Sequence, residues 1–205
     1  MRLGGNARAI ASASGRMLVV TDGAAHRRLR AAHSAWLSTS TLDRMRSDIE
    51  NDIEELLTTL IAPGGSFDAV TDFGAVIARQ VLGRVLGIPR ENWTDLGELT
   101  DAAYATNDAQ ESIQSHGELL MYLYELLERR RAEPRDDFVT ALSRTTLDGR
   151  RMTDDEVLLN CDGTLSGGLV TTPRSVASFV VAFSRDPPRS RRCTMRTARD
   201  NSSLL

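Results

Sequence analysis

The stretch that most limits what this chain can fold into begins at Thr153. Thr153-Asp154-Asp155-Glu156 has capping-box spacing, in which a hydroxyl and a carboxylate three residues apart each satisfy a backbone N–H of the other. The helix it opens runs on through LLNCDGTLSGGLVTTPRSVASFVVAF, about thirty residues. A helix of that length, roughly 45 Å, crosses a whole small domain, so the other elements must pack around it. Inside it sit Gly167, Gly168, Thr171, Thr172 and Pro173. Relative to alanine, a glycine there costs about 1 kcal/mol and a proline about 3. Thr171 lies four residues after Gly167, so its hydroxyl can take over the Gly167 carbonyl and open the helix into a groove. Glycine at 167 and 168 removes the side chains that would keep another group away from the backbone. Pro173 removes one more helical donor. A buried Gly/Pro kink with its threonines tied back to the backbone is the bland alternative.

The rest of the chain reads as helices. Asp22 caps DGAAHRRLRAAHSAWL, and Ser40 or Thr41 opens another helix whose Ile49, Ile53, Leu56, Leu57 and Leu60 share a face. Pro63-Gly64-Gly65 closes it. FDAVTDFGAVIARQVLGRVLGIP is mostly apolar and reads as one buried helix stopped by Gly87 and Pro89. A polar segment, roughly 92–114, leads into GELLMYLYELLERRR, with an apolar stripe of Leu119, Tyr122, Leu123, Leu126 and Leu127. Asp136 to Ser143 is a short helix and Leu147-Asp148-Gly149-Arg150 a turn. No strand pattern competes, so the expected fold class is all-α.

Composition excludes more than it assigns. A net charge of −3 gives no electrostatic case for nucleic acid. No apolar run approaches the ~18 residues of a membrane span. Two cysteines in unlike settings, Cys161 and Cys193, make no disulfide framework and suit a reducing cytoplasm. The tail PPRSRRCTMRTARDNSSLL has no apolar periodicity, which places a boundary between a helical domain at 1–185 and an irregular or out-of-frame segment at 186–205.

Four stretches in this order resemble the soluble bacterial cytochrome P-450 family. TDGAAHRRLR is similar to its Asp-x-x-x-His-x-x-x-Arg helix, and FDAVTDFGAVIARQVLGRVLGIP to its buried helix ending in Gly-Ile-Pro. YLYELLERRRAEPRDDFVTAL resembles its Arg-rich helix end. MTDDEVLLNCDGTLSGGLVTTPRSVASFV resembles its central helix, with an oxygen-binding Gly-Gly-x-x-Thr-Thr element. The resemblance implies a partial fold of that family and a heme cofactor. It also implies a monooxygenase acting on a hydrophobic small molecule, with electrons from a ferredoxin-type partner. It assigns Thr171, Gly167 and Gly168 to oxygen activation and His26 with Arg30 to the heme propionates. Leu165 and Ser166, with part of the segment before residue 124, would contact substrate. His33 and Trp36 are expected to pack in the core, and no protein-only metal site is expected.

The pattern also departs from the family. Cys161 lies inside the central helix and Cys193 sits in Arg-Ser-Arg-Arg-Cys-Thr-Met, so neither occupies the family's Phe-x-x-Gly-x-x-x-Cys-x-Gly loop. That loop's thiolate drives oxygen–oxygen cleavage. Val170 stands where an acid usually precedes the threonine. The expectation is a chain inactive by itself, in which the apolar helix from Phe67 to Ile88 and the face carrying Leu119 and Leu126 lack some partners. Two other readings stay open: a heme-free helper that activates a glycosyltransferase, and an inert remnant of a disrupted gene.

Overall fold

The capping box closes as its spacing predicts. In the computed structural model, which describes residues 12–62 and 66–185, the Thr153 N–H donates to Glu156 Oε2 at 2.8 Å. The Glu156 N–H returns a bond to Thr153 Oγ1 at 3.3 Å. Arg150 adds two bonds of 2.7 Å to the same carboxylate. Its guanidinium, opposed by burial, holds the Glu156 carboxyl down at about 2. From this anchor the helix runs without interruption over Asp154–Arg185.

Among the described residues six α-helices with assigned bounds precede it: α1 (Gly23–Trp36), α2 (Thr39–Leu60), α3 (Ala75–Leu86), α4 (Trp93–Tyr104), α5 (Ala109–Ala132) and α6 (Phe138–Arg144). A hairpin of β1 (Thr146–Leu147) and β2 (Arg150–Arg151) leads into the long helix, α7. In the hairpin Thr146 pairs with Arg151 and Leu147 with Arg150. Asp148 and Gly149 at its tip have φ of 51° and 81°, the double positive φ that a type I′ turn requires. Val157, Cys161, Leu165 and Leu169 recur every four residues on α7, and all four are buried. They join Leu119, Leu123 and Leu126 of α5, Leu86 of α3 and Phe138 of α6 in one core.

A buried ion pair ties the corners. Arg130 on α5 bonds both Asp137, which caps α6, and the Gly87 carbonyl that ends α3. The Asp137 carboxylate occupies the space a side chain at Gly87 would need, and Gly87 has φ of 72°, so only glycine serves there.

Four expectations need correction. The stretch read as one buried helix starts instead with a π-helical turn, Ala69–Gly74. The widened turn lies where Gly74 meets α7, since a Cβ there would stand 2.8 Å from the Pro173 carbonyl oxygen. The polar segment contains α4, whose Trp93, Leu96, Gly97, Thr100 and Ala103 form a buried helical stripe masked by the charges between them. The second helix is capped by Ser38, two or three residues before the Ser40 or Thr41 expected, with Ser38 Oγ accepting from the Thr41 N–H. Leu119 and Leu126 are fully buried rather than short of partners. The large exposed apolar side chains include Phe179, Val180, Val181 and Phe183 near the end of α7. Pro63-Gly64-Gly65, the 186–205 segment and Cys193 lie outside the described residues. No described helix is long and apolar enough to cross a membrane.

Candidate functional site

The two adjacent glycines of α7 have different surroundings, because successive helical residues point about 100° apart. A Cβ at Gly167 would meet nothing within 4 Å. One at Gly168 would lie 2.5 Å from Leu82 Cδ1 of α3. Gly168 therefore serves helix packing, and the close approach expected of both glycines is open at Gly167 alone. On the same exposed face the Thr171 hydroxyl donates to the Gly167 carbonyl at 2.6 Å. The bond expected from the spacing is there, but the helix does not break: α7 stays α-helical through Pro173. A threonine bonded back four residues can share that carbonyl within an intact helix, and proline removes a single donor.

Val170 projects elsewhere. It lines a crevice of about 310 Å³ together with Asp101, Arg79 and Arg174. Leu165 is wholly buried in the core, so its expected contact with substrate is not available from that side chain. Core packing took it because it follows Cys161 by four residues on the inner face of α7. Ser166 is half-buried and donates to the Gly163 carbonyl at 3.3 Å.

On α1, Arg30 is exposed and faces a cavity of about 360 Å³ whose walls include Met17, His33, Gly163 and Thr164. That cavity joins α1 to the turn of α7 preceding Gly167. His26 is half-buried and does not line it. His33 packs in the core as expected: its Nδ1–H donates to the Leu29 carbonyl at 2.7 Å and its ring lies 5.2 Å from Phe138. Burial lowers its pKa, which keeps the imidazole neutral. Trp36 packs on the same Phe138.

A third cluster escaped the sequence reading. Asp162 of α7, with 3% of its side chain exposed, accepts from the Tyr104 hydroxyl at 2.5 Å. Its other oxygen meets His116 Nε2 at 3.2 Å, and the Tyr104 and His116 rings lie 5.1 Å apart. The bond to Asp162 raises the His116 pKa, against burial. Burial, reinforced by Asp162, raises that of Tyr104. The three line a cavity of about 720 Å³ closed on one side by residues of the 12–20 segment. Asn160 fastens that segment, accepting from the Leu18 N–H at 2.9 Å and donating to the Arg16 carbonyl at 2.7 Å. Met17 belongs to both this cavity and the one beside Arg30. The available signal was Asn160 and Asp162, two polar residues inside an otherwise buried helical run, which demand partners.

Comparison with known proteins places this geometry. No protein-family model matches the chain. The chain is 31% identical over 184 residues to cytochrome P450 NovI of Streptomyces niveus, covering 88% of this chain and 45% of that protein. It is 31% identical over 182 residues to the cyclomarin C epoxidase CymV of Salinispora arenicola, covering 83% of this chain and 45% of the epoxidase. Among solved structures it is similar to the LnmZ cytochrome P450 hydroxylase from the leinamycin pathway of Streptomyces atroolivaceus. There the TM-score is 0.75 at 29% identity, over 84% of this chain and 48% of the hydroxylase. The fold is that of the helical part of cytochrome P450 structures. The chain belongs to the cytochrome P450 family and spans about half the length of the curated relatives it matches.

The described residues fit one side of a heme. Gly167 leaves the space a flat group would enter, Thr171 is exposed beside it, and neither the His26 nor the Arg30 side chain has a hydrogen bond or ion pair among the described residues. Cys161 does not fit the role of iron ligand. It is 1% exposed, and burial raises its thiol pKa, which disfavours the thiolate.

Proposed function

We propose that the chain supplies the oxygen-facing half of a heme-thiolate monooxygenase that inserts one atom of O₂ into a hydrophobic small molecule. One observation carries the reading: the open backbone at Gly167 with the Thr171 hydroxyl beside it, on the exposed face of the longest helix. Heme, when bound, supplies the oxygen-activating and electron-accepting chemistry. Arg30 would hold a propionate by a charge-assisted bond, with His26 one turn earlier on α1 as a second donor.

Thr171 contributes a proton at Oγ1. In the structure that proton is parked on the Gly167 carbonyl, and the hydroxyl oxygen keeps lone pairs that can accept another. A rotation about one side-chain bond redirects the donor toward the exposed face. Val170 can neither donate nor accept a proton, so Thr171 must be resupplied by water or by a substrate group. The names of the relatives, an epoxidase and a hydroxylase of a biosynthetic pathway, support oxidation of a secondary metabolite. A ferredoxin-type partner would deliver electrons, and a cytoplasmic setting suits that supply.

The test is heme uptake by the purified chain, followed by absorbance. Gly167→Val and Arg30→Ala should each weaken uptake several-fold while circular dichroism stays unchanged. The spectrum with carbon monoxide should lack the thiolate type and remain unaltered in Cys161→Ser. Uptake indifferent to both Gly167 and Arg30 would overturn the assignment of this face.

A further inference from the structure

We propose that the 720 Å³ cavity binds an apolar molecule carrying a protonated amine, with the ammonium held at the Tyr104–His116–Asp162 end. The volume lies within the range of small-molecule pockets. Met17, Val20, Leu120, Leu158 and Leu159 give it apolar walls, and the polar groups gather where α4, α5 and α7 meet.

Charge decides the ligand class. The wall carries Asp155, Asp162 and Arg16. Arg16 and Asp155 satisfy each other at 2.6 Å, which leaves the Asp162 carboxylate unbalanced. Its partners are a neutral phenol and a histidine, and no arginine pairs with it among the described residues. A buried carboxylate without a permanent counter-ion is costly. Either His116 takes a proton or the cavity admits a cation. Tyr104 Oη and the second imidazole nitrogen of neutral His116 offer lone pairs, and an ammonium brings only donors. A carboxylate ligand would be repelled, and an alcohol would satisfy the bonds but not the charge. The ligand's ammonium and the His116 proton are therefore alternative counter-charges to Asp162, and binding one should expel the other.

The substrate role of this ligand rests on the oxygenase reading, but its binding does not. Decylamine, decanol and decanoate, each below its micelle concentration, should be titrated into the 205-residue chain by calorimetry. Decylamine should bind about tenfold tighter than decanol, and decanoate weakest. Asp162→Asn should abolish the preference by weakening decylamine alone. Proton NMR should show the His116 pKa falling as decylamine saturates. Where Asp162→Asn loses its helical circular dichroism, His116→Gln takes its place: with the competing imidazole proton gone, the preference for decylamine should persist and lose its pH dependence across the imidazole range. Equal affinity for amine and alcohol, or tighter decanoate, overturns the proposal. Amine preference without any heme uptake would overturn the oxygenase reading alone.

Discussion

Replacing Gly167 and Gly168 by alanine, one at a time, should move stability in opposite directions although the residues are adjacent. In a helix interior, alanine is favoured over glycine by about 1 kcal/mol. Gly167→Ala receives that gain in full, since its new methyl would meet nothing within 4 Å. Gly168→Ala receives the same gain but drives a methyl to 2.5 Å from Leu82 Cδ1, 3.0 Å from Cδ2 and 3.2 Å from Cγ. No rotation of one methyl relieves all three contacts, so the Leu82 side chain must move as a whole. Overpacking of this kind costs about 1–3 kcal/mol, for a net loss near 1 kcal/mol. At this chain length, 1 kcal/mol shifts Tm by about 2–4 °C. Thermal and urea unfolding of the two variants should therefore diverge by roughly 4–8 °C, with wild type between them. Heme uptake should sort them the other way: Gly167→Ala, the more stable variant, should lose more, because its methyl enters the face left open for the cofactor. Equal stabilisation by both alanines, or normal uptake by Gly167→Ala, would refute the division of labour between the glycines.

Arg130→Met should cost about 3–5 kcal/mol in urea unfolding, since it strands the buried Asp137 carboxylate and removes the bond to the Gly87 carbonyl; a loss under 1 would show that the pair is dispensable. Glu156, with a folded pKa of about 2 against 4.5 in the unfolded chain, contributes stability that is full above 4.5 and fades as pH falls toward 2. Glu156→Gln should flatten that acid limb. His116 has a raised pKa, so its contribution is full below 6.5 and lost as pH rises through the folded value. Gln at 116 should remove this loss, measured as the urea midpoint against pH. His33, with a lowered pKa, acts with the opposite sign: its contribution is present above 6.5 and lost as pH falls through the folded value. In a Cys193→Ser background, Cys161 should resist thiol reagents until the chain unfolds, because it is buried in the native state.

Local signals carried much of the fold. Capping residues such as Asp22, Thr153 and Asp137 act within one turn of themselves, and apolar spacing on α5 and α7 directly states which face is inside. The Gly167–Thr171 bond is an i, i+4 relation and was legible for the same reason. What the sequence hid depends on contacts across the chain. Whether a glycine faces open space or Leu82 cannot be read from the letters GG, and the same holds for Leu165, which could have lined a pocket. The Tyr104–His116–Asp162 cluster joins residues 58 and 46 positions apart, a juxtaposition that only tertiary packing makes. α4 was hidden differently: its buried stripe includes Gly97 and Thr100, which break an apolar pattern while still fitting a crowded interface.

Met17 stands between the cavity beside Arg30 and the one beside Asp162, and Asn160 holds its backbone neighbours in place. An unbranched thioether side chain has three rotatable bonds and fills whichever space is empty. With the backbone pinned, one side chain forms wall in both compartments, so a change of its rotamer reshapes both at once.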